Sequence, residues 1–172
     1  SVLSQTYSNV EFIIVDHGTT GEAKNIINQT ISLNPGITLI RVKENTLDFS
    51  FKDIAAPVIK LWDAGLFISK GDYIYCLSYD DKISNNYVQK MVSLFNEDSR
   101  CVTASPRVIS INENSKINEL MTKSLDRKNR RLKFTNGVKI VDSFTNNGDL
   151  VCAPGGILAI KSSLVIESGG FD

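Results

Sequence analysis

Apolar positions along this chain switch repeatedly between an unbroken, strand-like rhythm and a helical one. Phe12-Ile13-Ile14-Val15 is a continuous β-branched run that predicts a buried strand, closed by the polar turn Asp16-His17-Gly18-Thr19-Thr20. Thr19 and Glu22 stand at capping-box spacing, and Ile26, Ile27, Thr30, Ile31 and Leu33 recur with helical period until Asn34-Pro35-Gly36 breaks it. Residues 37–42 predict a second strand, and 43–53 a polar loop holding Phe49 and Phe51. Pro57 suits the first position of a helix whose face is Val58, Leu61, Gly65 and Ile68 and which ends before Gly71. Tyr73 to Leu77 predicts a strand that stops at the adjacent carboxylates Asp80 and Asp81. Tyr87, Val88, Met91, Val92, Leu94 and Phe95 then mark an amphipathic helix, and 101–111 is strand-like apart from Pro106. Strands alternating with helices of this length predict an α/β fold, a mostly parallel sheet flanked by helices.

The pattern loosens over 112–147, read as a variable excursion. Beyond it, 151–160 reads as a small-residue loop feeding a strand, Ser162 to Glu167 as a short helix, and Gly169-Gly170-Phe171 as a tight turn with an aromatic anchor.

Composition narrows the classes. With 172 residues, 42% of them hydrophobic and 22% charged, the chain suits a single globular domain over 1–172. Its net charge of zero supplies no global field toward nucleic acid or an anionic membrane. The basic stretch 116–133 reads as a solvated face, with a phosphate- or lipid-facing patch as the alternative. Cys76, Cys101 and Cys152 are widely spaced in apolar surroundings, the usage of reduced core thiols in an intracellular protein. No apolar run approaches the ~18 residues of a membrane span. The chain opens mid-pattern without an initiator Met, which reads as an excised piece of a longer protein.

Asp16-His17 and Asp80-Asp81 each follow a strand, so a parallel sheet brings both pairs to one edge, where α/β folds bind ligands. Adjacent carboxylates raise each other's pKa unless a cation neutralises them. Hard oxygen ligands favour Mg²⁺ or Mn²⁺, which accept substrate phosphates as further ligands and so point to a nucleotide diphosphate. Against this stands an ordinary acidic helix N-terminus. For His17 a structural and a ligand-binding role stay level, and Trp62 reads as core rather than as a stacking residue.

Four segments together resemble the family 2 glycosyltransferases with the GT-A fold. The opening Ser1-Val2-Leu3-Ser4-Gln5-Thr6-Tyr7-Ser8-Asn9-Val10-Glu11-Phe12-Ile13-Ile14-Val15-Asp16 is similar to the family's "SVLxQTYxNxEIIVVDDGS". Ala64-Gly65 through Lys70-Gly71-Asp72-Tyr73-Ile74 resembles "GI..AKGDYI", Leu77-Ser78-Tyr79-Asp80-Asp81 stands in the place of "LDSDD", and Gly169-Gly170-Phe171-Asp172 resembles "GGFD". The resemblance spans nearly the whole chain. It implies a GT-A, Rossmann-like sheet whose first strand is missing, and transfer of a sugar from a nucleotide-diphosphate donor to an acceptor hydroxyl in surface polysaccharide or glycan synthesis.

By position, the resemblance implies Asp81 as metal ligand, Asp80 at the metal or the donor ribose, and Asp16 and His17 beside the nucleobase. It also implies Pro154, Gly155 and Gly156 at the sugar and acceptor pocket, with Mn²⁺ or Mg²⁺ as cofactor. The implied partners are a nucleotide-sugar donor and a glycan or lipid-linked acceptor, with no nucleic acid. The implied setting is the cytoplasm, with peripheral association at the inner face of the membrane. The catalytic base is expected after Asp172, so the fragment itself is expected to be inactive. The chain departs from the family at His17, at Ser78, and at Trp62 and Asp63, which stand where Arg and Asn are common. Those departures motivate a second expectation, a catalytically degenerate domain with a binding or scaffold role. A phosphoacceptor signalling domain lacks a convincing acceptor Asp and strand-end Lys.

Overall fold

The computed structural model describes residues 1–42, 55–104, 109–119 and 159–171. The chain divides into two compact units, one of residues 1–104 with 159–172, the other of residues 105–158. In the first unit a 3₁₀ turn (Val2–Ser4) leads to β1 (Ile13–His17), α1 (Gly21–Leu33), β2 (Thr38–Val42), α2 (Ala55–Ile68), β3 (Tyr73–Tyr75), α3 (Tyr87–Glu97) and β4 (Thr103–Ala104). It is completed by β5 (Ala159–Lys161) and α4 (Ser162–Glu167).

The expected helices and strands are present, with shifted ends. β1 runs on through Asp16 and His17 because these two pair in register with Arg41 and Val42 of β2. They are strand residues, not the start of a turn. The capping box at Thr19 is not made: α1 begins after Thr20, and the Thr19 N–H goes instead to Asp16 Oδ1 at 3.0 Å. α2 begins two residues earlier than expected, at Ala55, so Pro57 is the third residue of its first turn rather than its first residue. β3 stops at Tyr75, two residues short of the expected end, and of the strand expected over 101–111 only Thr103–Ala104 is described as such. The loop 43–53 lies outside the described residues.

The mostly parallel sheet is not what the described strands form. β1 and β2 are a parallel pair, whereas β5 lies between β3 and β4 and runs antiparallel to both. Apolar runs mark a strand's existence but not its direction, so the reversal at β5 leaves no trace in the pattern.

The core lies where β3 meets α3. Tyr87, Met91 and Phe95 recur at i, i+4 and i+8, fall on one helix face and are buried. On β3 the alternate residues Tyr73 and Tyr75 share a face, and both meet that helix. Tyr73 stacks on Phe95 at 4.1 Å between ring centroids, and Tyr75 tilts against Tyr87 at 4.7 Å. Ala104 and Ala159 fill the floor from β4 and β5. Elsewhere Leu66 of α2 is fully buried, and a Cβ on its neighbour Gly65 would touch Val15 Cγ2 of β1 at 3.4 Å. Ile68, assigned to the buried face, is exposed, as are Ile26 and Leu33 of α1.

The Tyr87 hydroxyl is buried and faces the Tyr75 hydroxyl without a hydrogen bond of good geometry. Burial pushes this phenol far above the ordinary value of 10.0. A desolvated hydroxyl without a well-formed bond costs about 1–3 kcal/mol, while Tyr87→Phe also takes away the neighbour of the Tyr75 hydroxyl, so the variant should gain stability, by at most about 1 kcal/mol, in urea denaturation. An unchanged or lower midpoint would mean that the hydroxyl is satisfied in solution.

In the second unit, 109–119 form a short antiparallel turn with Ile111 bridged to Ile117. Asn112 Oδ1 accepts the N–H groups of Asn114 and Lys116, and Ser115 takes a positive φ of 59°. This piece belongs to the excursion expected over 112–147; the rest of it, with the basic stretch beyond residue 119, lies outside the described residues.

Candidate functional site

The carboxylate pair follows β3 on a turn closed by Asp81 N–H donating to Ser78 O at 3.2 Å. Ser78 is half-buried, while Asp80 and Asp81 are exposed. Tyr79, between Ser78 and the pair, is wholly exposed and packs on nothing in the core. Partial desolvation and then the neighbouring charge of Asp80 raise the Asp81 carboxyl above the ordinary 3.8. Tyr75 lies close enough to feel that charge: burial first and Asp81 second push its phenol up to about 12.

Asp80 and Asp81 carry the hard oxygen donors that divalent cations such as Mg²⁺ take. Among the described residues no group of three or more His, Cys, Asp and Glu side chains converges on a metal position.

The other expected pair is built differently. Asp16 has a fully covered side chain: Oδ2 accepts Arg41 Nε at 2.7 Å and Oδ1 accepts the Thr19 N–H. Burial works to raise its carboxyl, but the hydrogen bonds from Thr19 and Arg41 outweigh it and hold the group below 3.8. Arg41 also donates to Asn28 Oδ1 at 3.1 Å, so one guanidinium joins β2, β1 and α1. His17 ends β1 half-buried. No hydrogen bond or ion pair among the described residues links Asp16 or His17 to Asp80 or Asp81. Pro154, Gly155 and Gly156 lie outside the described residues, as does Asp172.

The segments that carried the family resemblance hold one another. Glu11 Oε2 accepts the Lys70 N–H at 2.8 Å, joining the opening segment to the stretch before β3. Ser162 donates its hydroxyl to Gly71 O, and its N–H reaches Asp72 O at 3.0 Å. Asp63 Oδ1 accepts the Phe171 N–H at 2.9 Å, and Trp62 meets the Phe171 ring edge-on at 5.7 Å. Trp62 and Asp63, which depart from the family, thus anchor the glycine turn. Burial first and the Asp63 charge second push the Cys76 thiol at the end of β3 up to about 12. Cys76 and Cys101 are half-buried free thiols; Cys152 is outside the described residues.

Over 103 residues the chain is 29% identical to a Haemophilus influenzae protein described as an uncharacterized glycosyltransferase, a match covering 60% of this chain and 37% of that protein. This similarity supports a glycosyltransferase relationship. The match thus spans well under half the length of that relative. No family model matches the chain. No helix among the described residues is long and apolar enough to cross a membrane.

Sequence reasoning passed over Arg41, Gln5 and Tyr79. Arg41 was detectable only through strand register, and Gln5 stood inside the quoted opening without an assigned role. Tyr79 carried a usable signal, a large aromatic beside two carboxylates where the resembling motif has Ser.

Proposed function

We propose that this chain is the donor-binding part of a metal-dependent glycosyltransferase of the family 2, GT-A type, which transfers a sugar from a nucleotide diphosphate to an acceptor hydroxyl. The observation that carries the reading is the exposed Asp80-Asp81 pair on the turn after β3, with Asp81 raised above an ordinary carboxyl, in a chain similar to a described glycosyltransferase.

In this reading Asp81 and Asp80 hold Mn²⁺ or Mg²⁺, which when bound supplies neutralisation of the departing diphosphate. The turn closed by the Asp81 N–H and Ser78 O carries both carboxylates on the exposed segment after β3. His17, half-buried at the end of β1, stands on the nucleobase side in this reading, while Asp16 holds Arg41 and thereby the end of β1. Pro154, Gly155 and Gly156 belong in this proposal to the sugar and acceptor pocket, where small residues leave room for substrate. The acceptor is a glycan or lipid-linked hydroxyl, met on the cytoplasmic side of a membrane.

Calorimetric titration with UDP-, GDP- and dTDP-sugars, with and without Mn²⁺, tests this. One donor should bind in a Mn²⁺-dependent manner, and Asp81→Ala should weaken it by at least about tenfold, of the order of one lost charge-assisted contact. Absence of binding by every donor, or binding indifferent to Asp81→Ala, would remove the proposal.

A second reading, a GT-A-like domain that binds without transferring, is favoured by the covered Asp16 carboxylate and by Ser78 in place of an acid. Metal-dependent hydrolysis of a sugar nucleotide by the protein would argue against it.

A further inference from the structure

We propose that Gln5 is the positioning residue of the acidic loop, holding from outside the far end of the segment that carries Asp80 and Asp81. α3 starts directly after that loop, and its own cap residue Asn86 (φ −102°, ψ 14°) makes no side-chain cap bond. A helix start leaves backbone N–H groups that need acceptors. Gln5 Oε1 supplies one, accepting the Val88 N–H at 3.0 Å, while Gln5 Nε2 donates to Ser84 O at 2.9 Å and to Ser1 O at 3.1 Å. One side-chain amide therefore caps α3 and grips the last turn of the loop before it. Its neighbours make the same connection: Thr6 N–H donates to Asn85 O at 2.8 Å and Ser4 Oγ to Asn85 Oδ1 at 3.0 Å.

The chemistry is particular to glutamine. Accepting from Val88 and donating to Ser84 at once requires an amide, and Asn has the amide but is one methylene too short. Glu keeps the acceptor, which a helix N-terminus favours, yet places a carboxylate against the Ser84 and Ser1 carbonyl oxygens. The loop is thus fixed at its start by β3 and at its end by Gln5, with Ile83 packed toward the core between them. Gln5 acts through Ser84 and Val88 and touches no substrate.

Amide hydrogen exchange of the full chain, read for 78–88 against β1, tests this. In Gln5→Leu the Asp81 and Val88 amides should exchange at least about tenfold faster while residues 13–17 keep their rate, since the lost bonds are local. Gln5→Asn should behave like Gln5→Leu. Gln5→Glu should retain Val88 protection and lose that of Asp81, and this variant decides the matter if Gln5→Leu fails to fold. Unchanged exchange over 78–88 in Gln5→Leu, equal acceleration in β1, or wild-type protection of Asp81 in Gln5→Glu would each overturn the proposal.

The consequence for substrate rests on the glycosyltransferase reading: the donor dissociation constant should rise about tenfold in Gln5→Leu, in step with the loss of loop order. Donor binding that stays unchanged while the loop loosens would reject this positioning role. If the wild-type protein binds no donor, the functional reading fails and exchange alone judges Gln5.

Discussion

Replacing Gly170 with alanine is expected to lower stability by about 2–4 kcal/mol and to shift the emission of Trp62, the chain's sole tryptophan. Two effects combine. Gly170 has φ +128°, a region that residues with a side chain occupy only under strain of about 1–3 kcal/mol. A Cβ there would also stand 2.7 Å from Asp63 Oδ1 and 2.9 Å from Asp63 Cγ and Oδ2. The carboxylate can swing away, but Oδ1 is the acceptor of the Phe171 N–H, so the movement that relieves the clash breaks that bond. Losing it adds about 1 kcal/mol or somewhat more, because the acceptor is charged.

Gly169 is the control. Its φ is +99°, yet a Cβ there meets nothing within 4 Å, so Gly169→Ala should carry the strain alone. Removing the carboxylate should make the two glycines equivalent: on an Asp63→Ala background, Gly170→Ala costs no more than Gly169→Ala. Urea denaturation of the four variants closes this cycle. Trp62 emission reports the local event, because the Trp62–Phe171 contact at 5.7 Å depends on where the turn lies. Equal losses for both alanines in the unaltered background would show that the Asp63 contact is not what fixes the turn.

Asp63 also illustrates what a sequence withholds. The glycine turn and its aromatic anchor were legible, because paired glycines before an aromatic mark a position where only glycine fits. The partner of that turn was not, since Asp63 lies 108 residues away and only folding brings it close. Helix α3 was legible because three turns of apolar period need no partner to be recognised, and the acidic pair because two adjacent carboxylates close an apolar run, although β3 itself stops at Tyr75. The covered state of Asp16 was not legible. Its chemistry depends on Arg41 standing opposite it in the β1–β2 register, and an arginine at an alternating strand position otherwise reads as solvent-facing. Gln5 was hidden for the same reason, its partners being 79 and 83 residues distant. What pattern reading misses here is long-range polar pairing, which leaves no periodicity.

The Asp16–Arg41 pair makes a prediction of comparable size whose magnitude depends on pH. Arg41→Leu is expected to cost about 2–3 kcal/mol near neutrality, below the ~3–5 kcal/mol of a wholly buried pair because the guanidinium is partly solvated. The arginine side chain is 31% exposed and the aspartate side chain 0%, so the variant strands a covered carboxylate rather than an exposed cation. In the wild type the Asp16 carboxyl lies below 3.8, so its contribution is complete above the unfolded value and is lost as pH falls through the folded one. In Arg41→Leu burial still acts on the carboxyl while two of the forces lowering it are gone, so its folded value moves up and protonation relieves the stranded charge. The stability difference between wild type and variant should therefore be widest near pH 7 and narrow as pH falls below about 4. Urea denaturation of both proteins across that range measures the difference directly. Parallel curves would mean that Asp16 does not change its charge with Arg41, and that the loss in Arg41→Leu comes from the guanidinium's contact with Asn28 and α1 instead.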